Sequence, residues 1–104
     1  MKDESLKEFA LDQLRGLGDV ECRSMFGGFG FYSGEKFFAI IYKGRLYFKT
    51  SEATRAAYVE HGMKPFRPKP DQKLGKYYEV PPDVMEDPAQ LETWAREAVS
   101  QAAK

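Results

Sequence analysis

Acyl transfer, thiol redox chemistry and zinc ligation all draw on histidine and cysteine, and this 104-residue chain has one of each, His61 and Cys22. A side-chain nucleophile needs a base beside it, itself held by a third group. His61 precedes Gly62 at a helix end, where the macrodipole favours a cation without any catalytic role. Cys22 alternates with Val20 in a strand-like run, so its thiol is expected to be buried and inert. One His and one Cys fall short of the usual zinc set, and the carboxylates show no calcium-loop spacing. Asp83, Glu86 and Asp87 lie close together, but they flank a helix start, where acids are favoured anyway. The residues therefore assign no catalytic group, metal or cofactor.

Two other segments suggest binding. Met25-Phe26-Gly27-Gly28-Phe29-Gly30 has the look of a phosphate loop, with Gly28 and Gly30 at the first two glycine positions of a dinucleotide fingerprint. Ser33 occupies the third position, the segment runs into another strand rather than a helix, and no Walker lysine follows. Glycines at a sharp bend between strands account for it better. The second segment is a basic loop carrying Lys64, Arg67, Lys69, Lys73 and Lys76, with Asp71 the one acid among them. Basic residues near aromatic rings can track phosphates and stack bases, yet no helix-turn-helix, zinc finger or RNA-binding signature is present. A solvated loop is the plainer reading, and nucleic-acid binding the alternative.

The elements that must position these residues follow from periodicity and punctuation. Leu6, Phe9, Ala10, Leu14 and Leu17 make one helical stripe, ended by Gly16 and Gly18. Val20–Met25, Phe29–Ser33, Phe37–Tyr42 and Arg45–Lys49 read as four strands joined by short turns, hence antiparallel. Phe37 to Tyr42 is apolar on both alternations and should be a central strand. Thr50 or Ser51 caps a second helix ending at Gly62. Lys64–Arg67 and Lys76–Val80 form a further strand pair around the basic loop. Asp87 and Pro88 then open a last helix with Leu91, Trp94, Ala95, Ala98 and Val99 on its apolar side. The order α-β(4)-α-β(2)-α implies an α+β fold, an antiparallel sheet with helices on one face. Three single-stripe helices leave sheet surface over. Tyr32, Phe38, Ile40, Tyr42 and Tyr47 are expected to line the second face, where a partner protein or a second copy of the chain docks, unless loops cover it.

Composition bounds the rest. The chain is 42% hydrophobic and 14% aromatic, enough for one core and one domain over residues 1–104. The 16 basic and 16 acidic residues cancel overall but not locally, with −3 over residues 1–21, +7 over 22–76 and −4 over 77–104. A lone cysteine fits a reducing compartment. No run approaches the ~20 apolar residues of a membrane span, and the start lacks an apolar signal segment. A cytoplasmic location without membrane contact is expected.

The block Arg23-Ser24-Met25-Phe26-Gly27-Gly28, taken with Tyr77-Tyr78-Glu79-Val80-Pro81, Pro65-Phe66 and Trp94, resembles the N-terminal domain of the TfoX/Sxy family from about Leu6 to Ala98. Leu74-Gly75-Lys76 departs from the Met-Ser pair expected before Tyr77. The resemblance implies a fold similar to type III secretion chaperones. It also implies a link to regulation of natural competence in bacteria, through protein partners in the transcription machinery. It supplies no catalytic residues, and Arg23, Met25, Phe26, Gly27 and Gly28 are read as fold signature. Full-length regulators carry a C-terminal domain that a chain this short does not contain. The combined expectation is a non-enzymatic protein-interaction module.

Overall fold

The computed structural model describes residues 3–25, 27–69 and 72–101, with the side chains of Met25 and residues 67–75 outside that description. Helix α1 (Asp3–Gln13) and a 3₁₀ turn (Arg15–Leu17) lead into β1 (Val20–Met25), β2 (Gly28–Ser33), β3 (Lys36–Tyr42) and β4 (Arg45–Lys49). Then come α2 (Glu52–Glu60), β5 (Pro65–Lys69), β6 (Gln72–Glu79), the single turn α3 (Pro82–Met85) and α4 (Pro88–Gln101). All strand pairs are antiparallel, in the spatial order β1-β2-β3-β4-β6-β5. The α+β class and the order of the long elements agree with the sequence. The 3₁₀ turn and α3 are additions, and α3 forms because Pro82 pre-sets the first helical φ where its missing N–H costs nothing.

Local chemistry explains most boundaries. At the start of α2 the Ser51 hydroxyl accepts from the Thr54 N–H, while the Thr54 hydroxyl accepts from the Ser51 N–H. Two donors that the helix cannot satisfy are thus paired reciprocally. Asp87 caps α4 by accepting from the Ala89 and Gln90 N–H groups. The β3–β4 turn places both Lys43 (φ 50°) and Gly44 (φ 77°) in the left-handed region, as a two-residue hairpin whose twist matches its strands requires.

One row of paired residues crosses the whole sheet on its helix side: Cys22, Phe31, Ala39, Phe48, Tyr78 and Pro65. Leu6 and Ala10 of α1, Leu14 just after it, and Leu91, Ala95 and Ala98 of α4 close over it, forming one continuous core. Tyr58 of α2 joins at the margin, its ring 4.6 Å from that of Trp94 and 6.2 Å from that of Tyr78.

The register of β3 has one irregularity, and it decides which side chains reach the other face. Phe31 pairs with Ala39 and Tyr32 with Phe37, which leaves Phe38 as an extra residue, a β-bulge. Simple alternation places Phe38 beside Ile40 and Tyr42. The bulge instead turns Phe38 toward the helices, where it is wholly buried with its ring against those of Phe31 (6.3 Å) and Phe48 (6.1 Å). The expectation that Phe38 lines the second face is corrected accordingly.

Candidate functional site

The face away from the helices is built on the row Arg23, Gly30, Ile40, Tyr47 and Glu79. Here the structure divides the expected surface in two. Toward β5, Phe66 is buried, with its ring 4.7 Å from Tyr47 and 5.5 Å from Tyr42. Strand β5 lies three positions from β3, about 14 Å at ~4.8 Å per step. A phenyl ring does not span that distance within a flat sheet, so the β5–β6 hairpin curls over this face. A register shift between Pro65 and Phe66, which moves the pairing from Tyr78 to Leu74, marks the bend. Beneath it Ile40 has no exposed surface. Ile40 therefore belongs to a second, small buried cluster and not to an open docking face. Tyr42 and Tyr47 form the half-covered margin of that cluster.

Toward β1, among the described residues, the helices pack on the opposite side of the sheet. Tyr32, Phe37 and Tyr77 form a continuous row of half-buried rings: Tyr32 and Phe37 stack at 5.1 Å, and Phe37 meets Tyr77 at 5.7 Å. The Arg23 guanidinium lies 4.5 Å over the Tyr32 ring and pairs with Glu21 at 3.2 Å. Phe37 and Tyr77 are absent from the set read by alternation. The bulge hid the first. The second had a signal in the Tyr77-Tyr78 doublet, since adjacent strand residues face opposite ways.

The basic segment is a hairpin rather than a loop. Its two strands are β5 and β6, and Lys64 and Lys76 are exposed, while the side chains of Arg67, Lys69 and Lys73 lie outside the described residues. The two reactive residue types are not brought together. His61 ends α2, with Nδ1 2.8 Å from the Ala57 carbonyl and its ring edge-on to Trp94. Cys22 sits half-buried on β1, where burial pushes its thiol up against the opposing pull of Lys7. Among the described residues no three His, Cys, Asp or Glu side chains group to hold a metal. Among them, too, no helix is long and apolar enough to cross a membrane.

A separate apolar groove of about 480 Å³ opens between α1, β4 and α3. Leu6, Phe9, Leu46, Val80, Pro82 and Met85 form its walls. The Arg45–Glu79 ion pair, 3.0 Å apart, stands at its rim. Neither the groove nor the aromatic row presents a nucleophile with a base beside it. Both are suited to contact.

The glycine block lies at the β1–β2 turn. Gly27 has φ 79°, and Gly28 is buried against the backbone of β3, where a Cβ would run into the Ile41 carbonyl oxygen. The family model for the TfoX N-terminal domain matches residues 12–102, a span that includes this block, the aromatic row and α4. The chain belongs to the TfoX N-terminal domain family. No curated protein matches it. In this TfoX N-terminal domain the signature residues divide by role. Gly27 and Gly28 make the turn and its close approach to β3, Arg23 covers Tyr32, and Met25 and Phe26 have side chains outside the described residues.

Burial in the aromatic row is measurable. The Tyr77 phenol is pushed up to about 12 by desolvation, with Tyr32 adding to it, and its hydroxyl donates to the Phe37 carbonyl at 3.4 Å. Burial also raises Tyr58, reinforced by Glu97. The folded value of Tyr77 lies above the ordinary value of 10, so its contribution to stability is complete below pH 10 and is lost as pH rises through about 12. Phenolate absorbance of the native TfoX domain should therefore show a late-ionising group that disappears in Tyr77→Phe. An unchanged titration curve in that variant would contradict the packing of the row.

Proposed function

We propose that this TfoX N-terminal domain is a non-enzymatic regulatory module. In this reading it acts as a single folded unit in the cytoplasm and holds a partner protein on the Tyr32–Phe37–Tyr77 row. The observation that carries the reading is that row: three contiguous, partly exposed aromatic rings on the sheet face away from the described helices, bordered by Arg23. Tyrosine and arginine dominate binding energy at interfaces because each offers large apolar area with a polar end. Rings already stacked on one another also lose little rotamer freedom on docking. Membership of the TfoX family supports a regulatory, competence-related role at this coarse level.

Affinity capture from the native lysate, with and without nuclease, tests the proposal. A protein partner should survive nuclease, and Phe37→Ala should weaken its capture at least tenfold, the size of a ~1.4 kcal/mol contact. A second copy of the chain as the partner would show as a concentration-dependent dimer lost in the same variant. Loss of all capture after nuclease, with affinity falling steeply in salt as phosphate contacts require, would replace the proposal with nucleic-acid binding. Capture indifferent to Phe37→Ala would remove the row from the interface.

A further inference from the structure

Strand β1 is one edge of the sheet and β5 the other, and the two edges are built differently. Strand β5 carries Pro65 and Pro68, which have no N–H to offer, and its pairing shifts register twice. Both features discourage the addition of a further strand. Strand β1 has no proline and pairs with β2 through all 6 of its residues without a shift. Only residues 26 and 27 separate Met25 from Gly28, so that closing pair exchanges hydrogen bonds, and alternation then bonds Arg23 and Glu21 to β2. Counting back from the Tyr42–Arg45 pair of the β3–β4 hairpin gives the same phase. The backbone N–H and C=O groups of Val20, Cys22 and Ser24 therefore point off the edge. Among the described residues no backbone hydrogen bond outside the β1–β2 pairing reaches them.

The side chains of β1 complement themselves. Glu21 and Arg23 are exposed on the face away from the helices, with Glu21 paired opposite Tyr32 and Arg23 lying over its ring. An antiparallel pair of β1 strands centred on Cys22 sets Glu21 directly opposite the partner's Arg23, and Arg23 opposite the partner's Glu21. Cys22 then exchanges backbone bonds with the partner's Cys22, and Val20 with the partner's Ser24. The two charged pairs fall at the non-hydrogen-bonded positions, where Cα atoms come to about 4.5 Å and side chains lie closest. A slip of two residues sets Glu21 against the partner's Glu21, or Arg23 against the partner's Arg23, and like charges directly opposite destabilise a strand pair. A slip of one residue puts the outward backbone groups out of phase. The charges and the backbone select one register.

Burial points to the same edge. Along the helix-side row Phe31, Ala39 and Phe48 are wholly buried, while Cys22, and Val20 on the same side of β1, are only half-buried against the core. A strand laid beside β1 covers both. We propose that the chain forms a two-fold dimer in which β1 pairs antiparallel with β1 of a second copy, centred on Cys22 and held in register by the Glu21–Arg23 cross-pairs. The contact is isologous, as a closed two-fold dimer requires. Its axis stands perpendicular to the sheet, so one continuous sheet carries both Tyr32–Phe37–Tyr77 rows on the same face. The pairing does not depend on what those rows hold.

Sedimentation velocity over a concentration series, combined with amide hydrogen exchange on the full chain, tests it. A reversible dimer is expected, with the Val20, Cys22 and Ser24 amides gaining protection as it forms and those of Glu21 and Arg23 protected throughout. Glu21→Arg and Arg23→Glu should each weaken the dimer at least tenfold, because each turns both cross-pairs into like charges. The double variant carrying both changes should restore it. Both residues are exposed, so the variants keep the fold, and Phe37→Ala should keep the dimer. A chain that stays monomeric up to millimolar concentration would overturn the proposal. So would a dimer indifferent to the single reversals, or one that the double variant fails to restore. A dimer lost in Phe37→Ala that never protects the β1 amides would overturn it too, placing the contact on the aromatic face.

Discussion

Phe38→Ala is expected to destabilise the domain by about 3–5 kcal/mol, the range for removing a fully buried phenylalanine with only partial collapse of the cavity. Native domains hold only ~5–15 kcal/mol in total, so this one change removes a large share. The effect follows from the bulge: Phe38 is wholly buried between Phe31 and Phe48, beneath the helices. Its neighbour Phe37 supplies the control. That ring is half-buried on the other face, so Phe37→Ala should cost roughly half of the ~1.5–3 kcal/mol assigned to full burial of such a side chain. Urea unfolding of the two variants measures both values. Equal costs, or the larger cost at Phe37, would show that the strand lacks the bulge and that alternation runs straight through it.

Gly28→Ala should be nearly as damaging, for a different reason. Gly28 lies at the start of β2, and an added Cβ would overlap the Ile41 carbonyl oxygen. It would also crowd the Ile41 carbonyl carbon at 3.1 Å and the Tyr42 Cα at 3.3 Å. These are backbone atoms of a central strand, so no side chain can swing aside, and β2 must part from β3. A loss at or above the upper end of the ~1–3 kcal/mol typical of overpacking is expected. Gly27→Ala makes the comparison. Gly27 has open space around it, but φ 79° imposes the ~1–2 kcal/mol of a left-handed non-glycine residue. Gly16→Ala should be milder still, because its Cβ would meet only the carboxylate of Glu92, the movable end of a side chain. A Gly28→Ala domain that melts with the wild type would mean that β2 and β3 do not approach as described.

Much of this fold is written locally. Asp87-Pro88, Ser51 with Thr54, and Lys43-Gly44 each fix a helix start or a turn through neighbours no more than three residues away, and such signals survive in a linear reading. The apolar run of β3 announced a strand buried on both sides, and it is the third of six in the sheet. Gly27 of the family block was legible too, because it answers a local need for a positive φ, whereas the bare Cα at Gly28 serves its approach to β3.

Tertiary structure alone decided which side chains share a face. A strand's alternation has period 2, so the single extra residue at Phe38 exchanged it with Phe37, and nothing in six apolar residues in a row marks where a bulge falls. The curl of the β5–β6 hairpin, which buries Ile40 under Phe66, depends on rings far apart in the chain. The same holds for the junction of β4, α2 and β6. Thr50 reaches the Lys76 carbonyl because β4 pairs with β6, and Arg55 of α2 donates to the same buried threonine hydroxyl. Caps and turns are short-range bonds, which sequence order records. Faces and pockets are sums over distant strands, and only their register can set them.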